Sequence, residues 1–168
     1  MAILVSTLLI LGCGNGERNQ GFVRPDEPGF TGVARCALGE YRRVIKVHPE
    51  RKEAHTMVGL IRADRGELEE AIDPLTDALL LDVFFVPALT TLGTVYQERK
   101  ELMEATALYQ LAWAQNPLAP GLEYAMGETY FQQGNRDSAD AFLSRVLKRE
   151  PGNEPARILM KELGGPDL

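Results

Sequence analysis

The chain offers few side chains that could act as catalytic groups or metal ligands. His48 and His55 lie seven residues apart, and no cysteine or carboxylate joins them at metal-ligand spacing. Both are predicted to be ordinary surface or helix-end residues. The sequence contains no glycine-rich phosphate loop, no Gly-x-Ser-x-Gly elbow and no His-Glu-x-x-His pair. We therefore expect no catalytic residues, no bound metal and no cofactor, and the chain is not predicted to be an enzyme.

Composition excludes a further class of function. The 168 residues carry 18 Lys and Arg against 24 Asp and Glu, which gives a formal net charge of −6. A nucleic-acid-binding protein needs a basic surface to neutralise phosphates, so no nucleic-acid partner is expected. Hydrophobic residues make up 45% of the chain, as in soluble globular domains. The two cysteines, Cys13 and Cys36, do not imply a disulfide framework.

The N-terminal residues form a chemically distinct segment. Ala2 to Leu11 are uncharged and mostly apolar, a run too short to span a membrane but suited to a signal peptide. The ending Ile10-Leu11-Gly12-Cys13 resembles the lipobox of bacterial lipoproteins. That resemblance implies cleavage before Cys13 and lipidation of its side chain. The alternative is a mis-assigned start or a truncated upstream sequence, with Cys13 a buried thiol.

The next segment, residues 14–30, is rich in glycine and proline and lacks apolar periodicity, so it is predicted to be a flexible tether. Together with residues 1–13 as a lipoprotein signal peptide, it would hold the following domain near a membrane. We accordingly expect a lipid-anchored protein of a bacterial cell envelope, on the periplasmic side of a membrane if the source is Gram-negative. A cytoplasmic location is the alternative.

The rest of the chain repeats itself every 34 residues. Small residues recur at that spacing in two series, and larger apolar residues or prolines follow them in register. The two small-residue series are Gly59, Gly93 and Gly127, and Ala71, Ala105 and Ala139. Such a period is typical of stacked helical hairpins, in which close approach of the two helices requires a residue without bulk.

The second unit shows the pattern most fully, with Leu92-Gly93-x-x-Tyr96 followed by Ala105, Tyr109, Ala112 and Pro117. It resembles the tetratricopeptide repeat (TPR) family. The resemblance implies an all-α solenoid of antiparallel helix hairpins over residues 31–163, with repeats near 52–85, 86–119 and 120–153. A half-repeat helix is predicted at 31–48 and a capping helix at 154–163.

The resemblance also implies a binding groove lined by the first helix of each repeat. The groove residues it indicates are Thr56, Leu60, Thr90, Thr94, Gln97, Tyr124, Glu128, Phe131 and Gln132. No lysine or arginine occupies a groove position, which argues against the TPR role of gripping a C-terminal carboxylate. Tyr124 and Phe131 lie on one helix face and are predicted to accept apolar groups of a partner. The alternative is that one of them packs against the capping helix beside Ile158.

These observations predict a protein–protein interaction adaptor or scaffold that binds a protein or peptide. We expect a membrane-tethered monomer that assists assembly of a multiprotein complex, similar in plan to the lipoprotein TPR pilotins of type IV pilus systems. One alternative is a soluble TPR scaffold whose N-terminus is artefactual. Another is self-association through Phe84 and Phe85, and an alternative of a different class is an enzyme or regulatory subunit.

Overall fold

The repeat produces helical hairpins in the computed structural model, which describes residues 28–164, with side chains from residue 37 onward. This part of the chain consists of helices and turns and contains no strand, so the predicted all-α solenoid fold is confirmed. The helices are α1 (Pro28–Val47), α2 (Lys52–Asp64), α3 (Leu68–Leu81), α4 (Val86–Glu98), α5 (Leu102–Gln115), α6 (Leu122–Gln132), α7 (Arg136–Arg149) and α8 (Glu154–Glu162). Three hairpins, α2–α3, α4–α5 and α6–α7, lie between α1 and α8.

Helix α1 begins at Pro28, inside the segment 14–30 that the sequence predicts to be a tether. Proline is compatible with the first turn of a helix, because its φ is already helical and its missing N–H is not needed there. The predicted signal peptide with Cys13 and residues 14–27 of the predicted tether lie outside the described residues.

The recurring glycines are where the two helices of each hairpin approach most closely. A Cβ atom at Gly93 would lie 2.6 Å from Cε1 of Tyr109, and one at Gly127 would lie 2.9 Å from Cγ of Leu143. Gly59 meets Leu75 in the same way. The position that follows each glycine by 16 residues therefore fills the space that a side chain at the glycine would occupy.

The turns inside the three hairpins require a left-handed backbone. Gly66 and Gly134 have φ values of 74° and 76°, which glycine adopts without steric cost. Lys100 occupies the equivalent place in the second hairpin with a φ of 66°. A residue with a Cβ is strained in this conformation. The fold of the second hairpin therefore imposes on Lys100 a backbone conformation that its residue type disfavours.

The core is a row of clusters that neighbouring hairpins share. The central cluster joins Leu89 of α4 and Tyr109 of α5 to Leu122 and Met126 of α6. At the C-terminal end, Ala156 and Met160 of α8 close the cluster around Leu143. Because each cluster includes residues from two adjacent units, every hairpin is stabilised by its neighbours, as expected for a solenoid.

Two regions differ in detail from the sequence-based expectation. The third repeat is predicted to start near residue 120, and its first helix α6 begins at Leu122, after Gly121 with a φ of 75°. His55 is predicted to be a surface or helix-end residue; it lies near the start of α2, but only 8% of it is accessible. Its Nε2 lies 3.0 Å from the Pro49 carbonyl oxygen and its Nδ1 lies 3.6 Å from Asp77 Oδ2. His55 therefore joins α2 to the preceding turn and to α3.

Candidate partner-binding face

The first helices of the three hairpins, α2, α4 and α6, contact one another in order, and α6 also contacts α8. The second helices pack behind them. This leaves one continuous face built from first helices, which we term the inner face. The nine residues that the sequence predicts for the groove all belong to these three helices.

The threonine hydroxyls of the inner face mostly hydrogen-bond to the backbone of their own helices. Thr56 is only 5% exposed and donates its hydroxyl hydrogen to the Lys52 carbonyl, 2.9 Å away. Thr90 donates to the Val86 carbonyl at 3.0 Å, and Thr94 to the Thr90 carbonyl at 3.1 Å. Such bonds to the preceding turn are common for helical threonines. Of the three, only Thr94 is exposed, so it has the most surface for a partner.

A chain of side-chain hydrogen bonds crosses the inner face between the second and third hairpins. The Tyr109 hydroxyl donates to Gln97 Oε1 at 2.9 Å, and Gln97 Nε2 donates to Glu128 Oε2 at 2.9 Å. Thr94 Oγ1 lies 3.1 Å from the same tyrosine hydroxyl. The chain thus connects α4, α5 and α6. Gln97 is 7% exposed, and its amide is held at both its oxygen and its nitrogen.

The Glu128 carboxylate affects the tyrosines around it. Burial raises the pKa of Tyr109 to about 12; the hydrogen bond with Thr94 opposes the shift, while the negative charges of Glu128 and Glu98 add to it. Burial also raises the pKa of Tyr124, and the charge of Glu128 and a hydrogen bond to it act in the same direction. Both phenols therefore remain neutral hydrogen-bond donors at physiological pH.

The two aromatic residues predicted for the groove have different surroundings. Tyr124 is half-buried against the cluster that includes Leu143, Ala156 and Met160, so much of its ring supports α7 and α8. Phe131 is also half-buried, but it packs against none of the described core clusters. The alternative of packing against the capping helix thus applies to Tyr124, although Ile158 itself is 51% exposed. Phe131 is the aromatic side chain of the pair with surface for a partner.

The edges of the inner face contain a cation and a further carboxylate. Lys100 Nζ donates to Gln132 Oε1 at 3.5 Å, a contact that the sequence pattern did not reveal because Lys100 lies in the turn after α4. Leu60 of α2 is half-buried. Asp64, at the end of α2, has its pKa raised by desolvation. The inner face is therefore polar and acidic over most of its length.

The described part of the chain meets neither the requirements of a metal site nor those of a membrane-spanning helix. Within residues 28–164, no three His, Cys, Asp or Glu side chains are grouped so as to hold a metal ion. No helix in the same range is long and apolar enough to cross a membrane. Of the two phenylalanines considered for self-association, Phe85 has the Lys52 ammonium 4.6 Å from its ring centroid, whereas Phe84 is 53% exposed.

Stacked helical hairpins with a polar inner face define a repeat scaffold, and comparison with protein families identifies its class. Models described as tetratricopeptide repeat match residues 35–82 and 96–163, which together make up more than half of the chain. The chain belongs to the tetratricopeptide repeat family, whose members typically serve as non-catalytic scaffolds for protein or peptide partners.

Individual relatives are more distant. The chain is 27% identical over 131 residues to cellulose synthase operon protein C of Pseudomonas fluorescens (strain SBW25); the match covers 73% of this chain and 10% of that protein. The chain thus spans about a tenth of the length of this curated relative. Among solved structures, it superposes on MamA with a TM-score of 0.70, 24% identity and 86% coverage of both chains. It superposes on PilF of Pseudomonas aeruginosa with a TM-score of 0.71 and 20% identity, over 79% of this chain and 61% of that one. At these identities the structural matches show the fold alone.

Proposed function

We propose that the protein is an adaptor that binds a partner protein along its inner face and holds it at a bacterial envelope membrane through a lipid on Cys13. The observation that carries the proposal is the hydrogen-bonded row Tyr109–Gln97–Glu128, in which two buried side chains fix the half-buried Glu128 on a face that no described segment covers. The row also gives the buried Tyr109 hydroxyl a hydrogen-bond partner, while the apolar core shared between hairpins stabilises the solenoid. A preorganised row of this kind lowers the entropic cost of binding a partner.

The chemistry of the inner face fits a protein ligand. Exposed Thr94 and Gln132 can bond to a partner's backbone, and half-buried Phe131 offers an aromatic surface. Buried aromatic residues often contribute 2 kcal/mol or more to an interface. The adaptor would act as a monomer that contributes one face to a larger complex, in the manner of a pilotin.

In-cell cross-linking followed by affinity capture tests the use of the inner face. Phe131→Ala removes an aromatic ring that belongs to no described core cluster, so the fold should be retained. Leu111→Ala is the matched control, because Leu111 is 43% exposed on the second helix α5. We expect Phe131→Ala to lose the captured partner and Leu111→Ala to keep it. Equal capture by both variants would place the binding surface elsewhere. Tyr124→Ala is unsuitable, since Tyr124 also supports the α7–α8 core.

The membrane tether needs its own test, because Cys13 lies outside the described residues. Cys13→Ser should move the protein from the membrane fraction to the soluble fraction and abolish incorporation of labelled fatty acid. A wild-type protein that is soluble and carries a free Cys13 thiol would leave the adaptor function without the tether. A constant monomer mass over a range of concentrations in light scattering would support the monomer.

A further inference from the structure

The inner face carries the Glu128 carboxylate, which is fixed in position and forms no ion pair with any of the described residues. Resting on the proposed function, we propose that the partner segment presents a lysine or arginine side chain whose cation pairs with Glu128. Gln97 and Tyr124 would then be positioning residues, because they hold the carboxylate and do not contact the cation. The partner is thereby specified by its chemistry, as a segment with a basic residue flanked by groups that pack against Phe131.

Neutral donors hold the Glu128 carboxylate in place. Gln97 Nε2 lies 2.9 Å from Oε2, and the Tyr124 hydroxyl is also hydrogen-bonded to the carboxylate. Gln97 is itself fixed by Tyr109, which is 1% exposed. Glu128 is half-buried, so its rotamer is restricted before a partner arrives. These donors orient the carboxylate and leave its full negative charge unneutralised.

The remaining acidic residues of the inner face share this lack of a counter-ion. Among the described residues, the acidic side chains that form ion pairs lie in other parts of the fold: Glu40, Glu50, Glu67, Glu69, Asp77, Asp82, Glu101, Glu123 and Glu154. None of these ion pairs involves the acidic residues that we assign to the inner face, which are Glu53, Asp64, Glu98 and Glu128. Within the described part of the chain, these four inner-face carboxylates therefore have no ion-pair partner and are available to an external cation.

The surroundings of Glu128 favour a basic side chain over a free metal ion. Phe131 follows Glu128 by three residues, which places the two side chains on neighbouring positions of one helix face. The aliphatic stem of lysine or the planar guanidinium of arginine can pack on such a ring while the cation reaches the carboxylate. No further carboxylate completes a metal site among the described residues. Charge-assisted hydrogen bonds to a partly desolvated carboxylate are stronger than those of an exposed ion pair.

Lys100 is the intramolecular alternative. Its ammonium bonds to Gln132, one helical turn beyond Glu128, and forms no ion pair with Glu128. Lys100 is exposed and lies in the turn after α4, at the edge of the face. A partner's cation would occupy the centre of the face, and removal of Lys100 should strengthen its binding by reducing local positive charge.

The test uses peptides selected from a random library against the wild-type protein, with the enriched sequence synthesised as two probes. One probe keeps its lysine or arginine, and its twin has norleucine or citrulline at that position. Binding of both probes is measured to wild type and to Glu128→Gln. Glu70→Gln is the matched control, since Glu70 is exposed on the second helix α3. The double-mutant cycle isolates the coupling between the cation and Glu128.

We expect loss of the cation to weaken binding to wild type and to Glu70→Gln about tenfold, and to Glu128→Gln less than about twofold. Gln97→Met should also reduce the discrimination between the two probes, because the carboxylate would lose its fixed orientation. High salt should weaken the basic probe selectively.

Two other results would separately contradict the requirement for a cation and the proposed function. If the probes bind wild type equally well and are lost with Phe131→Ala, the inner face binds peptides but the requirement for a cation is wrong. If no peptide is enriched, or if binding persists in both Phe131→Ala and Glu128→Gln, the proposed function of the inner face fails as well.

Discussion

Two glutamates of α6 lie five residues apart and have opposite environments. Glu123 is 5% exposed and faces the second helix of its own hairpin, where Arg149 Nη2 lies 2.6 Å and Arg145 Nε 3.5 Å from its oxygens. Glu128 faces the inner surface and is held by Gln97 and Tyr124, which are neutral. The same residue type is thus neutralised inside the protein at one position and left charged at the other.

The difference between the two glutamates indicates that one part of the solenoid uses a charged residue for stability and another leaves one available for recognition. A buried carboxylate is costly unless it has a partner, so Glu123 is compatible with folding only because two arginines of α7 reach it. Arg145 in addition lies 4.9 Å from the Trp113 ring, which connects the pair to the preceding hairpin. Glu128 is only half-buried, so water can solvate its charge until a partner binds. Variants that separate these two environments test the comparison.

The largest expected effect on stability comes from raising the pH until the Tyr109 hydroxyl ionises. This hydroxyl bonds to Gln97, which in turn donates to Glu128 of α6. The pKa of Tyr109 is raised from 10.0 to about 12. The folded state therefore binds this proton more tightly than the unfolded state. The associated stability is fully present below pH 10 and is lost as the pH rises through about 12. The loss amounts to roughly 2–3 kcal/mol, at about 1.4 kcal/mol per pKa unit.

Urea unfolding of wild type and Tyr109→Phe at increasing pH measures this loss. The variant lacks the titrating group, so the stability difference between the two proteins should shrink or reverse above pH 10. A difference that stays constant throughout would contradict the burial of a neutral hydroxyl at this position.

A second, slightly smaller loss of stability is expected at the contact between α4 and α5, where Gly93 meets the Tyr109 ring. Gly93→Ala would place a Cβ 2.6 Å from the Tyr109 ring, so the ring and its hydrogen bond to Gln97 must shift. Overpacking of this kind costs about 1–3 kcal/mol, and the better helix propensity of alanine offsets only part of it. We expect a net loss of about 2 kcal/mol in chemical denaturation.

Gly39→Ala provides the matched control, because nothing lies within 4 Å of a Cβ at Gly39, which is within α1. This change should raise stability by about 0.5–1 kcal/mol through helix propensity. Similar losses in both variants would mean that the glycine–tyrosine contact is looser than the structure shows.

Glu123 gives the third prediction. Glu123→Gln should cost about 1–2 kcal/mol, less than for a fully buried ion pair, because the arginine side chains remain 58% and 44% exposed and solvated. Glu123→Leu should cost less than Glu123→Gln, since Leu89 occupies the same register in the second hairpin and is 1% exposed there. Denaturant midpoints of the two variants decide the order. A reversed order would show that this position beside the two arginines favours a polar side chain over an apolar one.

The sequence predicts the fold well because the repeat depends on a few steric requirements. Gly93 must be small and Pro117 cannot continue a helix, and both facts can be read from residue type and spacing alone. The register also placed Gln97 and Glu128 on the face formed by the first helices. These parts of the structure follow from the period itself.

The polar partners were not predicted, because they depend on side chains from different hairpins. The sequence pattern includes Tyr109 only as a repeat position, although the equivalent residues Leu75 and Leu143 carry no hydroxyl group. That departure was a signal that a buried hydroxyl needs a partner. In the same way, Glu123 stands where the second hairpin has Leu89, which signals a nearby cation. Which partner is chosen depends on rotamers and distances that no spacing specifies.

The smallest effect on stability is expected at Glu128, and it is the sharpest test of the comparison. Glu128→Gln keeps an acceptor for Gln97 Nε2, and no cation among the described residues loses its counter-ion. Its unfolding free energy should therefore change by less than about 0.5 kcal/mol. Loss of the negative charge should instead lower the pKa of Tyr109. Tyrosinate absorbance of Glu128→Gln, measured against a Tyr109→Phe background, would detect this change. If Glu128→Gln were as destabilising as Glu123→Gln, Glu128 would be a structural residue, and its charge would be needed for folding and not for a partner.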